Sequence, residues 1–287
     1  MGISTGVLYG LIPLFAWGIA DLFTKQAAEK LGGIKVLFWE KLISSLLLII
    51  ASLFFFDLPL IPVLIFFFLL IMALLNLAGY VTYYKALEVG LVSILNPIQA
   101  SWVILTVILS IIFLHESLSN IQIIGIISTF LGIVLCSFKP QDLLQRKFTE
   151  LLPGVKLDFI SALCWGVYFV FAGYVVSQIG WFAPVFFMRL FVVSSLFIFV
   201  FYKGMDIRIP QLKFRWYVLI IGLLDLLGWF GWAYGVQTEY VSIVSPIAAA
   251  FPLATFIGAA IFLKERLHLI QYLGFAAILG GIVVLAL

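Results

Sequence analysis

Two stretches of the chain read almost alike: Ile112-Phe113-Leu114-His115-Glu116-Ser117-Leu118 and Ile261-Phe262-Leu263-Lys264-Glu265-Arg266-Leu267. The likeness continues past each of them, since Gln122, Gly125 and Gly132 answer Gln271, Gly274 and Gly281 in the same register. Working back toward the N-terminus, Val92-Ser93-Ile94 with Pro97 answers Val241-Ser242-Ile243 with Pro246, Gly79 answers Gly228, and Leu74-Leu75-Asn76 answers Leu223-Leu224-Asp225. Earlier still, Lys41-Leu42 matches Arg189-Leu190 and Ala16-Trp17-Gly18 matches Cys164-Trp165-Gly166. Apolar stretches match one another by chance, but Trp, Gly, Pro, Glu and Gln in one order do not, so the chain is an internal duplication.

Its composition says where that duplication resides. The 287 residues are 65% hydrophobic and 10% charged, against about half apolar and a quarter charged in a soluble domain. Apolar runs long enough to cross a bilayer, about 20 residues each, fall near 6–24, 35–56, 61–85, 92–114, 121–138, 157–177, 182–202, 215–236, 241–262 and 269–286. They are continuous rather than alternating, which is the helical pattern in lipid, where each backbone amide must be satisfied inside its own segment. The first run lacks a basic leader and a second follows closely, so it reads as a retained span and not a signal peptide. The sequence therefore predicts an all-α integral membrane protein of ten transmembrane helices: a first five-helix repeat over 1–138, a linker over 139–156 and a second repeat over 157–287. Five is odd, so the second repeat enters the membrane upside down relative to the first, the architecture of inverted-repeat carriers with a site near the midplane.

The residues that carry the repeat also carry a resemblance. Trp-Gly in the first span, a basic residue early in the second, a glycine and aromatic third span, and Phe-Leu-x-Glu-x-Leu…Gln…Gly around the fourth and fifth resemble the EamA family of the drug/metabolite transporter superfamily, once per half. The resemblance implies a ten-helix inner-membrane carrier of small organic solutes, often amino acids or related metabolites, commonly an exporter. His115 and Lys264 stand before the two glutamates, and at the first of these places the family usually has glycine.

Charge sets the expected orientation. Apart from Lys41 and Arg189, every Lys and Arg lies in or beside the loops after spans one, three, five, seven and nine, including the 139–156 linker. The positive-inside rule then puts that linker in the cytoplasm and both termini outside. The net charge of +3 is scattered rather than gathered in a basic tract, so nucleic acid is not an expected partner. Cys136 and Cys164 sit in apolar runs with no CxxC spacing, and His115 and His268 are isolated, so neither a disulfide framework, a metal site nor a cofactor is expected.

An ionisable group inside a span costs about 2.5–3.5 kcal/mol at the helix centre and needs a partner or a task. Asp225, mid-span, reads as the one deep carboxylate, either a functional group or a hydrogen-bonded structural one. It shares a helix face with Trp229 and Trp232, and Asn76, Tyr80 and Tyr83 form the matching stripe in the other half. A carboxylate or amide followed by aromatic rings suits an ammonium-bearing or aromatic solute, the alternative being an interfacial belt, which fits Trp181 and Trp216 better. Lys41 and Arg189 hold equivalent places, which the inversion is expected to put on opposite sides of the midplane, and either could hold a substrate carboxylate or snorkel. Asn96 and Gln99 beside Pro97 are candidates to face the cavity at a bent helix, Ser245, Pro246 and Pro252 being their counterparts. Trp17 and Trp165 suit a tight helix crossing or a gate. Glu116 and Glu265 suit the organisation of helix starts or, again, gates. Asp21 is expected to pair with Lys25 at i,i+4. Gly125/Gly132 and Gly274/Gly281 read as packing faces, with a homodimer contact as one use.

No nucleotide-binding loop, His-Glu-x-x-His or paired deep carboxylate is present at usable spacing, so an enzyme is not the reading. The expectation is a secondary transporter of amine-bearing solutes working by alternating access in the lipid bilayer, with a non-transporting membrane scaffold or assembly subunit as the alternative.

Overall fold

A computed structural model of the chain describes residues 4–55, 59–137, 148–262 and 269–286. The described helices, in chain order, are α1 (Thr5–Leu31), α2 (Gly33–Phe55), α3 (Val63–Val89), α4 (Val92–Ala100), α5 (Trp102–Phe113), α6 (Asn120–Ser137), α7 (Phe148–Ile179), α8 (Phe182–Tyr202), α9 (Leu212–Thr238), α10 (Val241–Ala249), α11 (Phe251–Phe262) and α12 (Leu269–Leu285). Two consecutive pairs, α4 with α5 and α10 with α11, are single spans broken in the middle. Eight spans are long and apolar enough to cross a membrane outright, and Asn120–Leu135 and Leu269–Leu285 are shorter apolar helices, which gives the ten that the sequence predicts.

Helix limits follow local chemistry. The Ser4 hydroxyl accepts the Val7 amide at 3.2 Å and caps α1, and Gly32 at φ +88° ends it. Helix α7 starts at Phe148, inside the stretch read as linker, so that Asp158 lies well within it rather than at its rim. The two breaks fall at equivalent residues, Ser101 and Ala250. At the first, Pro97 has no amide to give, and Ser101 tightens the turn by donating its amide to Pro97 and Ile98 carbonyls (3.2 and 3.1 Å) and its hydroxyl to Ile98 (2.6 Å). At the second, Pro252 cannot donate to the Ala248 carbonyl, and Ala250 instead turns back on Ile247 at 3.2 Å.

The halves exchange helices. The most extensive contacts join α1 to α9, α3 to α7 and α6 to α12, each pair taking one member from either repeat. The exchange is symmetric in detail: Thr106 donates to the Gly166 carbonyl at 3.0 Å, and its counterpart Thr255 donates to the Gly18 carbonyl at 2.9 Å. Helices α6 and α12 are themselves equivalent, and they run antiparallel, with Gly125 against Gly281 and Leu285, and Gly132 against Gly274 and Ile278. Equivalent helices that run antiparallel are what inversion requires. The glycine stripes therefore face one another inside one chain, where a side chain on Gly132 would strike the Gly274 backbone; they do not form a free surface for a dimer.

Polarity is arranged for lipid. Leu53, Phe54, Val63 and Ile198 point outward and are about three-quarters exposed, while Glu40, Lys41, Ser44, Thr106 and Asp158 are wholly buried. An apolar rim around a charged interior is the reverse of a soluble protein, in which large exposed apolar patches are uncommon.

Candidate functional site

Four of the buried ionisable groups come from three helices and meet. Helix α2 supplies Glu40 and Lys41, α8 supplies Arg189 and α9 supplies Asp225. Lys41 Nζ lies 2.8 Å from Glu40 Oε2 and 3.1 Å from Asp225 Oδ2. Arg189 Nη1 lies 3.2 Å from Glu40 Oε1 and 2.6 Å from the same Asp225 Oδ2. The other Asp225 oxygen accepts the Tyr80 hydroxyl at 3.1 Å, and Tyr80 in turn accepts the Trp229 indole N–H at 2.6 Å. The Lys41 ammonium also stands 3.2 Å from the centroid of the Tyr80 ring. Two acids and two bases thus balance within the buried interior, which is how buried charge is tolerated.

Three expectations change here. Lys41 and Arg189 are not on opposite sides of the midplane: their long side chains reach inward from equivalent helices and meet on one oxygen. Asp225 is not the one deep carboxylate, because Glu40 and Asp158 are wholly buried and Asp21 nearly so. Nor does Asp21 pair with Lys25, which bonds Glu29 at 2.8 Å and caps the C-terminal end of α3 at the Leu87 (2.8 Å) and Gly90 carbonyls.

Beside the cluster lies a cavity of about 80 Å³. One water needs about 10–15 Å³ on the same measure, so there is room for several waters or the head of a small solute. Its wall is aromatic: Trp17, Tyr80, Tyr83, Tyr84, Trp102, Trp165, Phe169, Trp229 and Phe251. The charged residues that line it are both carboxylates, Asp21 and Asp225. Trp229 sits at the centre, parallel to Phe169 at 5.5 Å and edge-on to Trp17 at 5.5 Å and Tyr168 at 5.4 Å. Two glycines seat the flanking indoles. Trp17 lies on Gly228 of α9 and Trp165 on Gly79 of α3, so close that a Cβ at either glycine would overlap the indole ring. A smaller recess of about 10 Å³ adjoins on the other side of Tyr80 and Trp229, lined by Lys41, Asn76, Tyr168 and Arg189.

The sequence candidates divide accordingly. Asp225, Lys41, Arg189, Tyr80 and Trp229 meet in one constellation, Asn76 borders its recess, and Tyr83, Gln99, Trp17 and Trp165 line the larger cavity. Trp232 is buried beside them but donates its indole N–H to Ser245 at 3.2 Å. Asn96 is wholly buried, and its amide makes no hydrogen bond among the described residues. Glu116 accepts the Val241 and Ser242 amides at 2.8 and 2.9 Å, capping α10. Glu265 lies outside the described residues. Sequence reasoning missed Glu40 and Phe169 as parts of the site; that Glu40 neighbours Lys41 was the available signal for the first, and for Phe169, one of many apolar residues, there was none.

The sequence profile of the EamA-like transporter family matches residues 4–138 and again 152–287. An uncharacterized protein of Methanocaldococcus jannaschii is 31% identical over 137 residues, 47% of this chain and 97% of that protein, so the relative is about as long as one repeat. An uncharacterized transporter of Archaeoglobus fulgidus is 26% identical over 216 residues, covering 72% of this chain and 74% of its own length. A solved crystal structure superposes with a TM-score of 0.80 over 99% of this chain and 96% of its own, at 17% identity, and shares the fold. Two matches to one profile, one per half, on a fold of two inverted five-span repeats around a charged interior, place this chain in the EamA-like transporter family.

Proposed function

We propose that this protein is a secondary transporter that moves small amine-bearing organic solutes, amino acids among them, outward across the inner membrane by alternating access around its midplane cavity. One observation carries the reading: in a cavity walled by aromatic rings, the charged lining groups are carboxylates. Aromatic faces and carboxylates in a desolvated space favour an organic ammonium over an anion or a neutral sugar. The recess on the far side of Tyr80 and Trp229 offers Lys41 and Arg189, which suit the carboxylate of a zwitterion. Outward transport rests on the family resemblance. Cytoplasmic placement of the basic loops and external termini rest on the positive-inside rule.

The first test is thermal stability of the purified protein against amino acids, polyamines, nucleosides and organic acids. A ligand at about 100 times its dissociation constant stabilises the folded state by roughly 2.7 kcal/mol. The expected result is stabilisation by amine-bearing compounds, lost in Trp229→Leu, together with flux of the same compound into liposomes that contain this protein alone. A folded protein that responds to none of them and moves none would overturn the reading in favour of a scaffold. A protease-sensitive tag after Leu287 should be cut from outside intact cells, and protection would reverse the orientation.

A further inference from the structure

The cavity is displaced toward one face of the molecule. It runs along α1 as far as Thr24 and along α3 as far as Tyr84, beside Lys25 and Lys85 at the basic-loop end. Toward the opposite face it reaches no further than Phe169 on α7 and Trp229 on α9. The residues that answer Thr24 and Tyr84 one repeat later are Ala172 and Ala233, and both are packed inside the protein. Close contacts shut that end: the Trp232 ring lies 4.7 Å from Phe169, and a Cβ on Gly173 would overlap the Val241 side chain. One crossing shows the difference directly. Trp232 of α9 donates to Ser245 of α10 at 3.2 Å, whereas their equivalents, Tyr83 and Asn96, carry groups able to make the same bond and leave them unpartnered among the described residues. The repeats therefore match in fold but not in conformation, the first parted at this crossing and the second closed.

Inverted repeats that rock against each other exchange such conformations, so a cavity at one face implies an equivalent one at the other, walled by the equivalent residues. The duplication then gives the composition of that second wall. Trp17 and Trp165 trade places, as do Tyr80 and Trp229, and the aromatic lining persists. The polar groups do not persist: Ala248 stands for Gln99, Ala172 for Thr24 and Asn76 for Asp225. Asp21 trades places with Phe169 and stays on the wall, so two carboxylates become one, and the unpartnered side-chain oxygen of Gln99 is lost. We propose that the protein has a second, less polar solute cavity at the face away from its basic loops, bordered by Ala172, Ala233 and Ala248, which opens as the first closes and holds an organic ammonium less tightly. An ammonium is captured at the basic-loop face, where two acids and an amide oxygen meet it, and released at the other, where one acid and methyl groups do. With the basic loops in the cytoplasm, capture lies inside and release outside. The difference between the repeats thus sets the face at which dilute solute is taken up, not the gradient finally reached. Capture and release rest on the transporter reading; two cavities of unequal polarity are tested without it.

Thiol labelling of the full-length protein in sealed membrane vesicles of either orientation provides the test, with two impermeant methanethiosulfonates, one bearing a trimethylammonium group and one a sulfonate. In a chain carrying Cys136→Ser and Cys164→Ser, Thr24→Cys and Gln99→Cys should be labelled from the basic-loop face, and Ala172→Cys and Ala248→Cys from the opposite face. The preference for the ammonium reagent should be about tenfold greater at the first two positions than at the second two. Asp225→Asn should lower the preference at Thr24→Cys, and if that variant does not fold, Asn76→Asp should raise the preference at Ala172→Cys. Labelling of Ala172→Cys and Ala248→Cys from the basic-loop face, or from neither face while Thr24→Cys reacts, overturns the proposal, as does an equal preference in the two pairs. Labelling from opposite faces with unequal preference, in a protein that moves no amine, would keep both cavities and remove the transporter reading. One-sided labelling in a protein that does move an amine would remove the second cavity and leave that reading standing.

Discussion

Lys41 and Arg189, equivalent residues of the two repeats, approach one oxygen atom, Asp225 Oδ2, from 3.1 and 2.6 Å. The duplication has kept its cations and differentiated its acids: Asp225 answers Asn76, and Glu40 answers Met188. Two cations from symmetric positions would repel each other at the axis, and the two acids, drawn from the first and second halves, make their convergence stable.

Removing one member of this cluster should therefore cost more than the ion pair itself is worth, because its former partner stays behind, charged and out of reach of water. Arg189→Met leaves an uncompensated buried acid and should lower unfolding free energy by about 3–5 kcal/mol. Combined with Asp225→Asn the loss should be smaller than the sum, by a coupling of about 0.5–3 kcal/mol. Thermal unfolding of the four proteins in one detergent measures the cycle, and additive losses would mean that the pair is not coupled.

The glycines under the cavity tryptophans make a second, symmetric test. Gly79→Ala and Gly228→Ala each put a methyl where an indole lies, Trp165 in one case and Trp17 in the other. Both should destabilise by about 1–3 kcal/mol and shift tryptophan fluorescence. Gly280→Ala meets nothing within 4 Å and should be neutral or gain up to about 1 kcal/mol from helix propensity.

Equal threonine hydrogen bonds should have equal weights. Thr106→Val and Thr255→Val each remove one hydrogen bond between the repeats, and each should cost about 0.6 kcal/mol, up to about 1.7. A large inequality in chemical or thermal unfolding would show that the two crossings, alike in geometry, carry unequal loads.

His115 lies in the left-handed region at φ +56° and is exposed. This is the position at which the resembling family usually has glycine. A side chain there costs roughly 1–2 kcal/mol, and the freedom of glycine in the unfolded chain offsets about 0.5–1. His115→Gly should thus raise stability by about 0.5–1 kcal/mol, while the β-branched His115→Val should lower it.

The fold was legible because lipid demands long apolar helices and because duplication wrote the same punctuation twice. Asp225, Lys41, Arg189 and Tyr80 stood out by the same logic, as groups too polar for their place. Asp21 was misread because Lys25 is at the right spacing in sequence; Glu29 is at equal spacing on the other side, and the α3 carbonyls that complete the capture are more than sixty residues away. Asp158 was missed through a helix limit. With a span starting at 157 it is a rim residue, but α7 starts at Phe148 and carries it inside. That two equivalent cations would meet, instead of standing apart, depended on side-chain reach, which helix positions do not give.

The adjacency of Glu40 and Lys41 has a consequence for how the chain is made. Synthesis delivers α2 long before α8 and α9, and domains emerge N-terminal first. With its own counter-ion next door at 2.8 Å, Lys41 can enter lipid as half of a neutral pair while Arg189 and Asp225 do not yet exist. Arg189 then arrives to find Glu40 waiting, and Asp225 arrives last, to two cations. A chain with its halves in the opposite order would end in the same contacts, but it would have to insert a solitary arginine first.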